Sequence, residues 1–195
     1  PSGQGFAYNN SFGGAAVSLV YSDNLAATAD RSDKGQDITS AGANSSSSIG
    51  ITYPVMDLGL TVYAGMGVAG QGDGNEHEHN MLGLKYAYGP MTVSYQRNGM
   101  DDQDNTVTGT ASNGEDLVSH IMGVSFAVND SLSISYGEHE TGTSESTFDQ
   151  EVTGYGVAYS AGGMTLSAVH NDADNTGNVS GTTAEATTIL LSFAF

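Results

Sequence analysis

The chain has no cysteine, no tryptophan, only 3 prolines, and 4 lysines and arginines against 22 aspartates and glutamates in 195 residues. A formal charge of −18 without clustered Lys or Arg argues against a nucleic-acid surface. The lack of cysteine fits a compartment where stray thiols oxidise, and is equally compatible with many cytosolic proteins. No stretch approaches ~18 uninterrupted apolar residues, which excludes a membrane-spanning helix. A membrane is not thereby excluded, because strands of a transmembrane barrel are only ~9–11 residues long and apolar on one face. The start at Pro1-Ser2-Gly3 carries no secretion signal, so the chain is expected to be mature or cut from something larger.

What the sequence has is period-two alternation, with almost no helical i, i+3, i+4 spacing. It predicts eleven strands, at about 5–12, 15–22, 47–56, 60–70, 81–89, 91–100, 117–128, 132–141, 150–160, 164–174 and 184–195. The connections alternate between short and long. Gly13-Gly14, Asp57-Leu58-Gly59, Gly89-Pro90, Asn129-Asp130 and Gly162-Gly163 suit tight hairpins. Those near 23–46, 71–80, 101–116, 142–149 and 175–183 are longer and rich in Asp, Asn, Gly, Ser and Thr. This is an up-and-down antiparallel meander with a tight end and an elaborated end, the polarity of outer-membrane barrels.

Each strand carries an apolar row and a small or polar row. Leu60, Val62, Ala64, Met66 and Val68 alternate with Thr61, Tyr63, Gly65, Gly67 and Ala69; Leu132, Ile134 and Tyr136 alternate with Ser131, Ser133 and Ser135. In a soluble sandwich the apolar rows would be the packed core, and in a transmembrane barrel they would meet lipid while the polar rows line a water-filled lumen. Three features favour the barrel. The polar rows hold Gly, Ser and Thr rather than the Lys and Glu of soluble surfaces. Tyr and Phe gather near strand ends, among them Tyr21, Tyr53, Tyr86, Tyr88, Tyr136, Tyr159 and Phe193. Charge is nearly absent from strand interiors and concentrated in the long connections.

The hairpin from Gly5-Phe6-Ala7-Tyr8 through Gly13-Gly14 to Val20-Tyr21-Ser22 resembles the strand pair that follows the constriction loop in Gram-negative general porins, particularly those of marine and photosynthetic proteobacteria. The turns Met56-Asp57-Leu58-Gly59-Leu60 and Tyr88-Gly89-Pro90-Met91 are similar to that family's periplasmic turns. Ile189, Leu191, Phe193 and Phe195 fit its terminal assembly signal. The resemblance implies an integral outer-membrane porin and a homotrimer without cofactor. Its partners would be the lipid bilayer, lipopolysaccharide, small solutes and the outer-membrane assembly machinery. General porins have sixteen strands, so eleven would be strands six to sixteen of one transmembrane domain spanning 1–195. A miscounted barrel of ten or twelve strands is the alternative.

The resemblance makes the function a passive diffusion channel for small hydrophilic solutes and ions. Acidic loops at its outer mouth predict a mild cation preference. Pore-lining or rim candidates are Lys85, Arg97, Thr61, Ser94 and Ser133. Lys85 is on a polar row, whereas Arg97 shares parity with Met91, Val93 and Tyr95 and is placed near the rim; Arg31 and Lys34 belong to the longest loop. Asp73, Glu76, His77 and His79 could bind a transition metal, and are otherwise a solvated acidic loop. Asp101, Asp102 and Asp104, and the run Asn171-Asp172-Ala173-Asp174-Asn175, could hold Ca²⁺ or Mg²⁺ weakly. Ser119 and His120 are strand neighbours pointing to opposite faces, so that imidazole cannot serve that serine as a base, and no catalytic grouping is recognised. The reading from another class is a secreted or surface all-β, adhesin-like protein with acidic, calcium-binding loops.

Overall fold

A computed structural model describes residues 4–23, 45–55, 58–70, 76–102, 116–143 and 147–193. Among them are eleven strands: β1 (Gln4–Phe12), β2 (Ala15–Asp23), β3 (Ser45–Val55), β4 (Leu60–Gly70), β5 (Glu76–Tyr88), β6 (Met91–Asp102), β7 (Leu117–Ala127), β8 (Leu132–Thr143), β9 (Gln150–Ala161), β10 (Met164–Asp174) and β11 (Thr183–Phe193). They form one sheet in sequence order, and every described register is antiparallel. The count of eleven stands among the described residues. Among the described residues the one regular element besides strands is a single 3-10 turn, Thr176–Asn178, between β10 and β11.

The hairpins follow from local stereochemistry. Gly162 and Gly163 have φ of 58° and 80°, the positive pair that a two-residue type I′ turn requires and that side-chain-bearing residues resist. Gly59 also has positive φ, 64°, and a Cβ there would lie 2.2 Å from the carbonyl oxygen of Ala87. That approach lets the Ala87 N–H donate to the Gly59 carbonyl at 2.8 Å. In the 128–131 connection the Asn129 side-chain oxygen accepts from the Ser131 and Leu132 N–H groups, closing the β7–β8 turn.

The chain divides into two compact units, one comprising 1–54, 63–82 and 99–116, the other 55–62, 83–98 and 117–195. In the first, the registers put Phe6 opposite Tyr21, then Tyr8, Leu19 and Ile49 in one row, and Val17 beside Ile51 in the next. In the second, Leu132, Tyr159, Leu166 and Leu191 form one row, and Phe126, Ile134, Val157, Ala168 and Ile189 the next. Both units therefore gather apolar side chains on one face, as period two demands.

That face is bare. Ile189 is 71% exposed and Met66 66%, and Phe6, Leu82, Phe126 and Phe193 are exposed as well. Leu117 is the only buried hydrophobic residue among the described ones. A sandwich would bury these rows between two layers; here they are uncovered, and the strands belong to a single sheet.

Two expectations need correction. β5 begins at Glu76, so His77 and His79 stand in a strand rather than in a solvated loop. His77 is buried, and the two rings stack with centroids 6.4 Å apart. Nor is strand charge nearly absent: Glu138, Glu140, Glu151, Asp172, Asp174 and Glu185 all lie within β8–β11. They occupy the loop-proximal ends, where the strands run on past the apolar rows.

Candidate functional site

The face opposite the apolar rows is built mainly of small and hydroxylated residues, with Ile121, Val152 and Val169 among them. In β7–β10 it carries the rows Ala127-Ser133-Ala158-Ser167, Ser125-Ser135-Gly156-Val169, Gly123-Gly137-Gly154-Asn171 and Ile121-His139-Val152-Ala173. Side chains here shelter one another. Ser119 is 1% exposed, with its Oγ 3.1 Å from Thr141 Oγ1, and Thr141 Oγ1 is 2.9 Å from His139 Nε2. A Cβ at Gly156 would sit 2.4 Å from Ser135 Oγ, so that hydroxyl would have to turn aside. The first unit carries an open hollow of about 430 Å³ with a mixed lining, in which Asn9, Ser18, Thr52 and Tyr63 stand beside Val17 and Met81. The hydroxyls, amides and glycine backbone of this face can exchange hydrogen bonds with water.

The sequence candidates distribute as follows. Ser94 lies on the small-residue face, its Oγ 3.0 Å from where a Cβ of Gly123 would be, and Ser133 pairs there with Ala127 and Ala158. Thr61 and Lys85 take that face by alternation, Lys85 opposite in parity to Leu84 and to the stacked rings of Tyr86 and Tyr88. Arg97 keeps the parity of Tyr95, and so does not share a face with them. His120 is turned to the apolar side, its Nδ1 2.9 Å from the Tyr95 hydroxyl. Ser119 and His120 thus diverge as alternation requires.

Asp73, Asp104 and Phe195 lie outside the described residues. Glu76 and Asp102 belong to the ends of β5 and β6, and Asp101 is exposed. Ile189, Leu191 and Phe193 stand on the apolar face opposite Ala168, Leu166 and Met164.

What sequence reasoning missed is the depth profile of the apolar face in β7–β11. Above the two apolar rows comes the row Val124-Tyr136-Tyr155-His170-Thr187. The Tyr136 and Tyr155 rings are 5.2 Å apart at their centroids. The next rows are Met122-Glu138-Thr153-Asp172-Glu185 and His120-Glu140-Glu151-Asp174-Thr183. The Tyr136 hydroxyl donates to Glu138, tying the aromatic row to the acidic belt. Period two placed each acid on its face. Only the register between strands could have shown that they align.

At the same end, the connection between β10 and β11 is braced against that between β8 and β9. Asn178, with φ of 59°, donates from Nδ2 to the Thr141 and Phe148 carbonyls at 2.9 and 3.1 Å. Asn175 Nδ2 donates to the Asp149 carbonyl at 3.1 Å, and the Gly177 N–H to Gln150 Oε1 at 2.8 Å.

No protein-family model matches the chain, and no curated protein matches its sequence. Solved structures do match. The chain is similar to the anion-selective porin from Comamonas acidovorans, with a TM-score of 0.70 and 13% identity, over 97% of this chain and 58% of that one. It is also similar to OccK9 (OpdG) of Pseudomonas aeruginosa, with a TM-score of 0.56 and 11% identity, over 98% of this chain and 62% of that one. The fold is therefore porin-like: antiparallel, up-and-down, all-β. The chain spans about 58–62% of the length of these porins.

Proposed function

We propose that the protein is an outer-membrane channel of the porin type, through which small hydrophilic solutes and ions diffuse passively. The observation that carries this reading is the bare apolar face. Each large apolar side chain left in water forgoes about 1.5–3 kcal/mol, so a wall with rows of them exposed needs a hydrocarbon partner. Lipid supplies it, and the small hydroxylated face then lines an aqueous bore. The acidic belt lies beyond the aromatic row, where headgroups begin. Nothing among the described residues favours the surface-adhesin reading, since no second layer covers the apolar rows.

Several finer points belong to the same proposal. An open sheet edge is not viable in hydrocarbon, and known bacterial single-chain barrels have an even number of strands. Eleven strands spanning 58–62% of two porins thus fit the later part of a larger ring. Assembly as a general-porin homotrimer, contact with lipopolysaccharide and insertion by the outer-membrane assembly machinery rest on the hairpin and terminal patterns. A mild cation preference rests on the formal charge of −18. The Comamonas porin is anion-selective by its name, but selectivity depends on individual lumen and mouth charges, which 13% identity does not carry over.

The test is conductance across planar bilayers of protein purified from its native membrane. The account predicts discrete steps and a reversal potential of cation sign in a KCl gradient. Absence of steps, together with release from membranes without detergent, would refute the channel. Steps with anion preference would refute the selectivity alone.

A further inference from the structure

From residue 117 to the end of the chain there is no Lys or Arg. Yet in that stretch acids stand directly opposite acids across neighbouring strands: Asp172 faces Glu185, Glu151 faces Asp174, and Glu140 faces Glu151. Like charges in direct cross-strand pairs are destabilising, and no basic side chain of these strands can offset them. Histidine is the only nitrogen base available, and His170 enters the belt from the row below. Its Nε2 is 3.2 Å from Asp172 Oδ2, and one ligand atom from each of His170, Asp172 and Glu185 lies within 4.8 Å of the others.

We propose that His170, Asp172 and Glu185 bind a divalent first-row transition-metal ion of the Zn²⁺ type. The set offers one imidazole nitrogen and two carboxylate oxygens, with a position left for water. An imidazole ligand favours such an ion over Ca²⁺ or Mg²⁺, which prefer all-oxygen cages. The ring is held from its far side, where His170 Nδ1 is 2.7 Å from Thr187 Oγ1 on the facing strand. When Nδ1 carries the proton and donates to that hydroxyl, the Nε2 lone pair is left for a metal, the arrangement by which outer-shell partners orient metal-binding histidines. The His170 and Asp172 side chains are about half exposed, so an ion reaches the site from solvent.

Binding would neutralise the Asp172–Glu185 repulsion while cross-linking β10 to β11. The site differs from the His77–His79 pair and from the acidic run 171–175 read as a weak Ca²⁺ or Mg²⁺ binder: it takes Asp172 from that run and joins it to residues of another row and another strand. It does not depend on the channel reading.

The experiment titrates EDTA-stripped, full-length protein in detergent with Zn²⁺ against a chromogenic competitor. The wild type should show one tight equivalent. H170A and E185Q should each weaken that equivalent at least tenfold. D174N, which alters the belt outside the set, and the double variant H77A/H79A should leave it within about twofold. Footprinting of the wild type with diethyl pyrocarbonate needs no variant: one equivalent of Zn²⁺ should protect His170 and leave His120 reactive. Equal Zn²⁺ affinity in the wild type and H170A, loss of the site in H77A/H79A, or absence of selective protection at His170 would each overturn the proposal.

Discussion

The turn end and the loop end of β8–β11 share a backbone, a register and a parity, and differ in chemistry on one face only. Towards the turns that face reads Leu132-Tyr159-Leu166-Leu191, and towards the loops Glu138-Thr153-Asp172-Glu185, with the Tyr136-Tyr155-His170 row between them. The opposite face does not change in kind. Ser133 and Ser135 near the turns give way to Gly137, His139 and Thr141 near the loops, and all are small or polar. A wall wetted equally on both faces has no reason to grade one of them. A wall whose one face crosses hydrocarbon and then emerges, while the other stays wet, must grade that face and need not grade the other.

The largest expected effect comes from moving charge along the graded face. Val157→Lys, in the apolar rows, should destabilise the folded protein in bilayers by about 2–4 kcal/mol, whereas Thr153→Lys, two rows up among the acids, should cost at most ~1 kcal/mol. Urea unfolding in lipid vesicles measures both, and equal costs would break the contrast. Next come the turns. Gly59→Ala must take a left-handed conformation and drive its methyl to 2.2 Å from the Ala87 carbonyl oxygen. It should cost about 3 kcal/mol, against about 1 kcal/mol for Gly162→Ala, where nothing lies within 4 Å.

At the loop end the order depends on side chains rather than glycine. Asn178→Ala removes two hydrogen bonds, at about 0.5–1.5 kcal/mol each. Faster amide exchange should be confined to 175–182 and the facing β8–β9 connection. The smallest effect belongs to the face that is not graded. On the proposed channel reading, Lys85→Glu should raise the cation-to-anion permeability ratio by less than about twofold, measured by reversal potential, because a single charge facing water is strongly screened.

Much of the fold was legible because its signals are local. Alternation set the strands, and Gly13-Gly14, Gly89-Pro90 and Gly162-Gly163 set their hairpins. β5 was misread at Glu76–Asn80 because Glu-His-Glu-His-Asn has alternation but no apolar row to mark it. Its strand conformation comes from neighbouring strands, which override local preference. The acidic belt was hidden for a different reason. Asp172 and Asp174 are visibly on one face, but that Glu185 stands across from Asp172 and His170 across from Thr187 depends on the β10–β11 register. The eight-residue connection from 175 to 182 does not announce that register.

The most direct test of the account places a fluorophore at residue 157 or at residue 158, neighbours on β9 with opposed side chains. Each labelled protein is reconstituted in bilayers and exposed to brominated lipid and to a water-soluble quencher. The account predicts that the probe at 157 is quenched by brominated chains and shielded from the aqueous agent, with the reverse at 158. Equal quenching at both positions, or lipid contact at 158, would contradict it.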